Sequence, residues 1–490
     1  MEEHPVEVEI DIAARGLPSF ETVGLPDTAV RESRQRVRSA ITNTGFQMPK
    51  RRTVVNLSPA DLKKEGTSYD LPIAIGLLAA SAQLDTGLIN NVFMLGELGL
   101  SGVLRPVRGA LAMLIGARRR GLARAIVPRE NATESQGIGG IKVMGASTLG
   151  EAVQFLSGVF PANTNCPSIS AKPVMNSQLD MRYVQGQLPA RRALEIAAAG
   201  GHNLLLTGPP GVGKSMLAQA LPGILPNLSE AERLEVSCIH SVAGLLSGRG
   251  LVAARPFRAP HHTASVASII GGGHGIPRPG EVSLAHRGVL FVDEFPEFTR
   301  PVRESLRQPL ETGAVTIGRA RRSATFPARF QLVATMNPCP CGYYRTEAAG
   351  RCVCTDSAIR RYRERVSGPM ADRFDLRVSC SVVPSHALIN GSVSECSAAV
   401  RSRVVAARQR QEQRENEVPF QCNAELKGEP LRERCVLDKS SRELAARMLD
   451  KGLSARGYHR VLRVARTIAD LDASLFITRR HLVEAFALRV

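Results

Sequence analysis

Hydrophobic and polar positions follow each other along this chain with two different periods. In Val6-Glu7-Val8-Glu9-Ile10-Asp11-Ile12 the two kinds of residue take strict turns, the pattern of a strand with one buried face. From Thr28 to Thr42 charged residues are interrupted by spaced Val and Ile, which predicts a helix. A strand at Thr53 to Leu57, a buried helix from Leu71 to Ser81 and a strand at Val92 to Leu95 are expected next. A helix from Ala110 to Gly121 and a strand at Ala125 to Val127 follow. Mixed β and α segments of this kind predict an α/β domain over residues 1–157. Residues 158–180 are rich in Pro, Asn, Ser and Thr with little apolar periodicity, the composition of a linker. Beyond it, Leu204 to Leu206 is a short apolar run, the apolar run Val289 to Val292 predicts a buried parallel strand, and Val333 to Met336 predicts a short strand. Near the end, Val461, Leu462, Ala465 and Ile468 mark one face of an amphipathic helix.

The first of these runs leads directly into Gly208-Pro209-Pro210-Gly211-Val212-Gly213-Lys214-Ser215, followed by a helix-like pattern from Met216 to Leu221. The segment fits G-x-x-x-x-G-K-[ST] in its required strand-to-helix context. Glycines let successive backbone N–H groups turn inward on a polyphosphate, and the helix N-terminus adds its positive dipole end. Lys214 supplies a point charge, and Ser215 is expected to coordinate Mg²⁺ through its hydroxyl. The second run ends in Asp293-Glu294. A carboxylate at Asp293 suits the Mg²⁺ shell, and one at Glu294 suits polarisation of an attacking water. Binding and hydrolysis of ATP with Mg²⁺ are therefore expected.

Composition narrows the partners. The chain of 490 residues opens with acids rather than with a basic and then apolar segment, so no secretory signal is read there. Its longest apolar stretch, Leu71 to Leu84, carries Pro72 and is too short to span a bilayer, so a cytoplasmic protein without a membrane partner is expected. The net charge is +18, and from Arg300 to Cys380 there are 15 Arg, no Lys and 7 acids. Concentrated guanidinium groups favour a polyanion, and nucleic acid is the leading partner. With 4% aromatics and no Trp, contact through backbone phosphates is expected rather than base stacking. Ten cysteines in an intracellular chain argue against a disulfide framework.

Several segments resemble known families. Leu104-Arg105-Pro106-Val107-Arg108-Gly109 and Ile126-Val127-Pro128-Arg129-Glu130-Asn131 resemble the proteolytic domain of Lon. Lon's catalytic serine would fall at Ser68 and its catalytic lysine near Leu111, where there is no amine, so no peptidase activity is expected. From Gly186 to Leu194 the chain resembles the entry segment of AAA+ ATPases. By the same resemblance, Asn337 falls at sensor 1, Arg373 in the arginine-finger segment that acts on a neighbouring subunit's nucleotide, and Arg456 at sensor 2, with Arg460 as its rival. The stretch Arg255 to Ser265, then Gly271-Gly272-Gly273 and Leu284-Ala285-His286-Arg287-Gly288, resembles the AAA+ subunit of magnesium chelatase. Together with Asn337-Pro338-Cys339-Pro340-Cys341-Gly342, these segments resemble the magnesium-chelatase-like AAA+ family of competence protein ComM (YifB-type) over nearly the whole chain. Against the family pattern, the first strand of domain one is expected to be missing. The resemblance implies an ATPase domain at 181–385 with a parallel sheet and a small α-helical lid at 386–490. It also implies a homo-hexameric, ATP-dependent DNA motor of helicase or branch-migration type, acting on single-stranded or branched DNA in natural transformation. The alternative is a chelatase-type motor that remodels a protein partner for metal insertion.

Two local patterns carry further chemistry. Ala314 to Ile317 and Ala324 to Phe326 are β-prone runs around the basic turn Gly318-Arg319-Ala320-Arg321-Arg322-Ser323, which predicts a hairpin. It resembles the pre-sensor-1 hairpin whose tips line the pore of ring helicases, and Arg319, Arg321 and Arg322 are the candidate DNA contacts. Cys339-x-Cys341 and Cys352-x-Cys354 supply four thiols, enough for a tetrahedral Zn²⁺ site, although the C-x-C spacing is tighter than the common C-x-x-C. His261 and His262 lack a third ligand at suitable spacing, and a turn or interface role is expected for them.

Overall fold

The computed structural model describes residues 4–135, 137–159, 179–246, 250–273, 277–319, 322–346, 349–366, 368–383, 394–414, 422–450 and 452–489. The alternating run near the start forms the strand Glu7–Ile12, exposed and half-buried by turns along its length. It pairs antiparallel with Thr53–Ser58, which pairs parallel with Phe20–Val23 on its other side. The helix Thr28–Asn43 begins where the Asp27 side chain accepts from the Val30 N–H at 2.8 Å. The buried helix Asp70–Ala80 packs on this sheet. A second, all-parallel sheet in the order Val92–Met94, Arg124–Pro128, Lys142–Ala146 completes the first domain. Leu111, where an amine would be needed for Lon-type chemistry, is fully buried in the apolar core.

The linker expected at 158–180 lies mostly outside the described residues. After it comes a five-stranded sheet, all parallel, in the order Phe257–Arg258, Val289–Val292, Gln331–Met336, Leu204–Thr207, Leu376–Ser379. The three central strands include the two apolar runs and the short strand of the sequence, and burial on both faces is why they do not alternate. The sensor strand Gln331–Met336 lies between the strand that feeds the phosphate loop and the strand that ends in the two acids. All three carboxyl ends therefore open onto one crevice.

The basic hairpin is longer than its sequence suggests. Ala314–Arg319 pairs with Arg322–Pro327 so that Gly318 faces Ser323 and Arg319 faces Arg322. Arg319 and Arg322 thus end the strands instead of lying in a six-residue turn, and the connection is only two residues. Two short helices precede the hairpin, Arg300–Ser305 and Arg307–Thr312, with Leu306 between them.

From 394 on, the described residues form mainly helices: Ser397–Gln413, Gly428–Arg434, Lys439–Asp450, Ala455–Leu471 and Arg479–Ala487. They share one apolar core with the helix Leu188–Gly200 and the sheet. Polar ties cross the same seam, with His202 Nε2 and Thr467 Oγ1 at 2.8 Å and the Arg192 Nε donating to Glu484 at 2.8 Å. The first domain is docked on the helix Glu230–Ala243 of the ATPase unit. Cys238 and Leu246 are buried with Leu111 and Leu114, and the Ser241 hydroxyl donates to Glu134 at 2.7 Å. Burial pushes the Glu134 carboxyl above its ordinary value.

Candidate active site

The phosphate loop leaves the strand Leu204–Thr207, buried except for its half-buried last residue, and turns into the helix Lys214–Ile224 through Gly213, whose φ of 88° lies in the left-handed region that glycine adopts without steric cost. A Cβ at Gly211 or Gly213 would meet nothing within 4 Å, so the loop is unobstructed at both glycines. The Lys214 ammonium donates to the carbonyls of Gly208 (2.6 Å) and Pro209 (2.7 Å) and to Asn337 Oδ1 (3.2 Å). Burial pushes its pKa below the ordinary lysine value, a penalty that a bound polyphosphate would offset. Pro209, Pro210 and Val212 complete the loop, and the Val212 carbonyl accepts from Gln187 at 3.2 Å.

Across the crevice, the Ser215 hydroxyl donates to Asp293 Oδ2 at 3.0 Å. The other Asp293 oxygen accepts from Thr335 Oγ1 at 2.5 Å, and the same Thr335 oxygen accepts from the Glu294 backbone N–H at 2.9 Å. Glu294 has φ 50° and ψ 50°, a left-handed conformation that costs a non-glycine residue about 1–3 kcal/mol. Its side chain is exposed at the carboxyl end of the sheet. The structure thus brings Lys214, Ser215, Asp293, Glu294 and Asn337 together, and one threonine between the two acids fixes how they sit. This donor set fits Mg²⁺: a hydroxyl and a carboxylate already in contact, both hard oxygen ligands.

Arg373 and Arg456 are placed elsewhere. The Arg373 guanidinium is held in its own subunit by Glu311 at 2.7 Å, and its Nε is buried without a partner. Arg456 sits in the first turn of the helix Ala455–Leu471 and is exposed. Its rival Arg460 is buried and faces Asp372 at 3.6 Å and Asp375 at 3.8 Å. The sequence leaves these two arginines equivalent, whereas the structure commits Arg460 to an ion-pair cluster and leaves Arg456 open to solvent.

The four thiols of Cys339, Cys341, Cys352 and Cys354 all lie within 4.8 Å of one another, the only such group of metal-ligating side chains among the described residues. Sulfur separations of 3.3, 3.9 and 3.6 Å join Cys339, Cys341 and Cys352. A tetrahedron with metal–sulfur bonds of about 2.3 Å requires sulfurs about 3.8 Å apart, so the four side chains fit Zn²⁺. The Tyr343 backbone N–H draws the Cys341 thiol down to about 6, whereas hydrogen bonding to Cys341 pushes the Cys354 thiol up to about 11. The His261 and His262 rings lie against each other at a tilt of 35° with centres 4.1 Å apart, and His261 Nδ1 lies 2.9 Å from Thr263 Oγ1, as suits a turn. Of the candidate DNA contacts, Arg319 and Arg322 end the hairpin strands and Arg321 lies outside the described residues.

Three positions escape the sequence reading. Thr335 is two residues before Asn337 on a buried strand and looks like core packing until its neighbours are known. Glu311 is one acid in a surface helix. Glu235, which accepts from His286 and Arg287, belongs to a network assembled from two separate segments.

Comparison with known proteins agrees with this geometry. Residues 180–388 match the family described as magnesium chelatase, subunit ChlI. Residues 6–131 match subunit ChlI of Mg-chelatase, and residues 394–489 match the ChlI C-terminal family. The chain is 45% identical over 487 residues to YifB of Escherichia coli, covering 99% of this chain and 94% of that one. It is 46% identical over 473 residues to Rv2897c of Mycobacterium tuberculosis, covering 95% and 92%. It is 44% identical over 489 residues to competence protein ComM of Haemophilus influenzae, covering 99% and 94%. No helix among the described residues is long and apolar enough to cross a membrane.

Proposed function

The chain belongs to the magnesium-chelatase-like AAA+ family of the ComM and YifB type, and on that footing we propose that it is an ATP-driven motor on DNA. The observation that carries this reading is the joining of a phosphate loop and paired acids to a two-stranded basic hairpin. The hairpin enters the ATPase core at Ala314, directly after the helix Arg307–Thr312. Lys214 and the loop amides bind the polyphosphate, and Glu294 orients and deprotonates the attacking water. Ser215 and Asp293 would hold Mg²⁺, which neutralises charge on the phosphates when bound. Asn337 reads the terminal phosphate from the side on which it now meets Lys214.

In a homo-hexamer Arg373 would reach a neighbour's nucleotide in trans, exchanging Glu311 for phosphate, while Arg456 would contribute from the lid. The four cysteines would hold Zn²⁺ as a structural, fully thiolate site. Six hairpin tips bearing Arg319, Arg321 and Arg322 suit a DNA backbone read without base specificity. A competence protein among its relatives supports a role in natural transformation, and the motor activity we assign to that role is branch migration on branched DNA, with single strands as the other candidate substrate. A strand-displacement assay on branched DNA tests this: ATP-dependent displacement that Lys214→Ala abolishes is the expected result. A protein that hydrolyses ATP but neither binds nor displaces DNA would favour the chelatase-type reading, in which the motor acts on a protein.

A further inference from the structure

The four-cysteine cluster touches the phosphate loop. Gly342, one residue after Cys341, has φ 88°, and a Cβ built there would fall 2.6 Å from Pro210 Cδ and 3.3 Å from Pro210 Cγ. Its three nearest neighbours are all atoms of Pro210, so the glycine lies flat on the second proline of the loop. Any side chain at 342 would have to move that proline. A second route leaves from the other end of the cluster. Cys339 is separated from Asn337 by Pro338 alone, and Asn337 Oδ1 accepts from the Lys214 ammonium.

The segment that carries these contacts has little other support. Between the two thiol pairs the described residues contain two short turns, Tyr343 to Thr346 and Ala349–Arg351, and no strand or longer helix to close the loop. What holds it in place is a set of side-chain contacts centred on Tyr344. The Tyr344 N–H donates to the Cys339 sulfur at 3.4 Å, a bond that orients a thiolate for a metal. The Arg363 guanidinium stacks on the Tyr344 ring at 5.0 Å and its Nε donates to the Pro338 carbonyl at 3.3 Å. Pro338 is thereby fixed between the first thiol and the sensor asparagine.

We propose that the four-cysteine centre is a metal-loaded brace for the phosphate loop: loading seats Gly342 on Pro210 and holds Asn337 on Lys214, so metal occupancy and nucleotide affinity rise and fall together. The proposal rests on the nucleotide-binding reading of the loop and adds a positioning site to it. Thermodynamic linkage makes the coupling reciprocal, because a metal that tightens nucleotide binding by some factor must itself be tightened by nucleotide by the same factor. Oxidation or chelation that removes the metal would loosen the ATP site by releasing Pro210 and Asn337 from their supports, with neither residue chemically changed.

The test uses the full-length reduced protein, Zn²⁺ as the metal and a fluorescent ADP analogue as the nucleotide. Chelator-stripped protein should bind the analogue about 5- to 150-fold more weakly than loaded protein, the usual range for coupled sites. Saturating ADP should strengthen retention of zinc against a competing chelator by the same factor. Gly342→Ala keeps all four thiols and should keep stoichiometric zinc while losing nucleotide affinity. Cys354→Ser should lose both, and Cys354→His, which restores a ligand of the right kind, should recover zinc together with most of the affinity. Equal nucleotide affinity with and without zinc, or no stoichiometric zinc in the reduced protein, overturns the brace and leaves the nucleotide site standing. Loaded protein that binds no nucleotide at all overturns both. Should Gly342→Ala fail to fold, the comparison of loaded with stripped wild-type protein decides alone.

Discussion

Replacing Thr335 by valine deletes a single hydroxyl at the centre of the acid pair. Thr335 is fully buried, its Oγ1 donates to Asp293 at 2.5 Å, and it accepts from the Glu294 N–H at 2.9 Å. Valine keeps the branched shape, so the strand Gln331–Met336 should keep its packing while both acids lose a common partner. A hydrogen bond to a charged group contributes about 1.5–3 kcal/mol. Borne by the transition state, where Asp293 and Glu294 must hold position, that loss lowers kcat about 10- to 150-fold at 1.36 kcal/mol per decade. Nucleotide affinity should change little, because loop amides and Lys214 carry it. Single-turnover hydrolysis and titration with a fluorescent ADP analogue separate the two effects. Thr335→Ser, which retains the oxygen, should recover most of the rate. A valine variant that hydrolyses ATP at the wild-type rate would refute the bridging role, and one that loses nucleotide binding instead would show that the threonine supports the loop and not the acids.

Lys214→Ala should abolish tight ATP binding, while Glu294→Gln should bind ATP and fail to turn it over; steady-state hydrolysis by the glutamine variant would remove Glu294 from water activation. Arg373→Ala should leave each subunit able to bind ATP and cut hydrolysis by about 10³ to 10⁵, as for fingers supplied in trans. Mixing it with Lys214→Ala should restore some activity at hybrid interfaces, and hydrolysis by a dilute monomer would contradict the ring. Acid stability should depend on Glu235, which His286 at 3.2 Å and Arg287 at 3.0 Å hold down to about 2 from an ordinary 4.5. Because the folded value is depressed, this contribution is complete above the unfolded value and is lost as pH falls from about 4.5 towards 2. The melting-temperature gap between wild type and Glu235→Gln should therefore close across that window, and a gap constant with pH would contradict the network.

Features encoded by consecutive residues were legible in the sequence. The phosphate loop, the acid strand, the hairpin and the two C-x-C pairs each depend on local order, and the strand Glu7–Ile12 declares itself by period alone. What stayed hidden depends on residues far apart in the chain. Nothing near Gly342 announces Pro210, which lies over a hundred positions away and meets it only because two strand ends are neighbours in the sheet. Arg456 and Arg460 share a helix and a composition, and only the burial of one beside Asp372 and Asp375 tells them apart. The basic turn read as six residues because Gly318 and Ser323 look like turn formers, yet cross-strand pairing extends through both.

The central claim is that the nucleotide site drives movement on a DNA backbone held by the hairpin. The most direct measurement is the salt dependence of DNA binding by the triple variant Arg319→Ala, Arg321→Ala, Arg322→Ala, taken with its DNA-stimulated ATPase. Every DNA phosphate that no longer meets a guanidinium should flatten the slope of log K against log salt by about 0.7 to 0.9. Basal hydrolysis should persist, because none of the three arginines belongs to the nucleotide site, while stimulation by DNA and strand displacement fall together. An unchanged slope with full stimulation by DNA would contradict the hairpin's role.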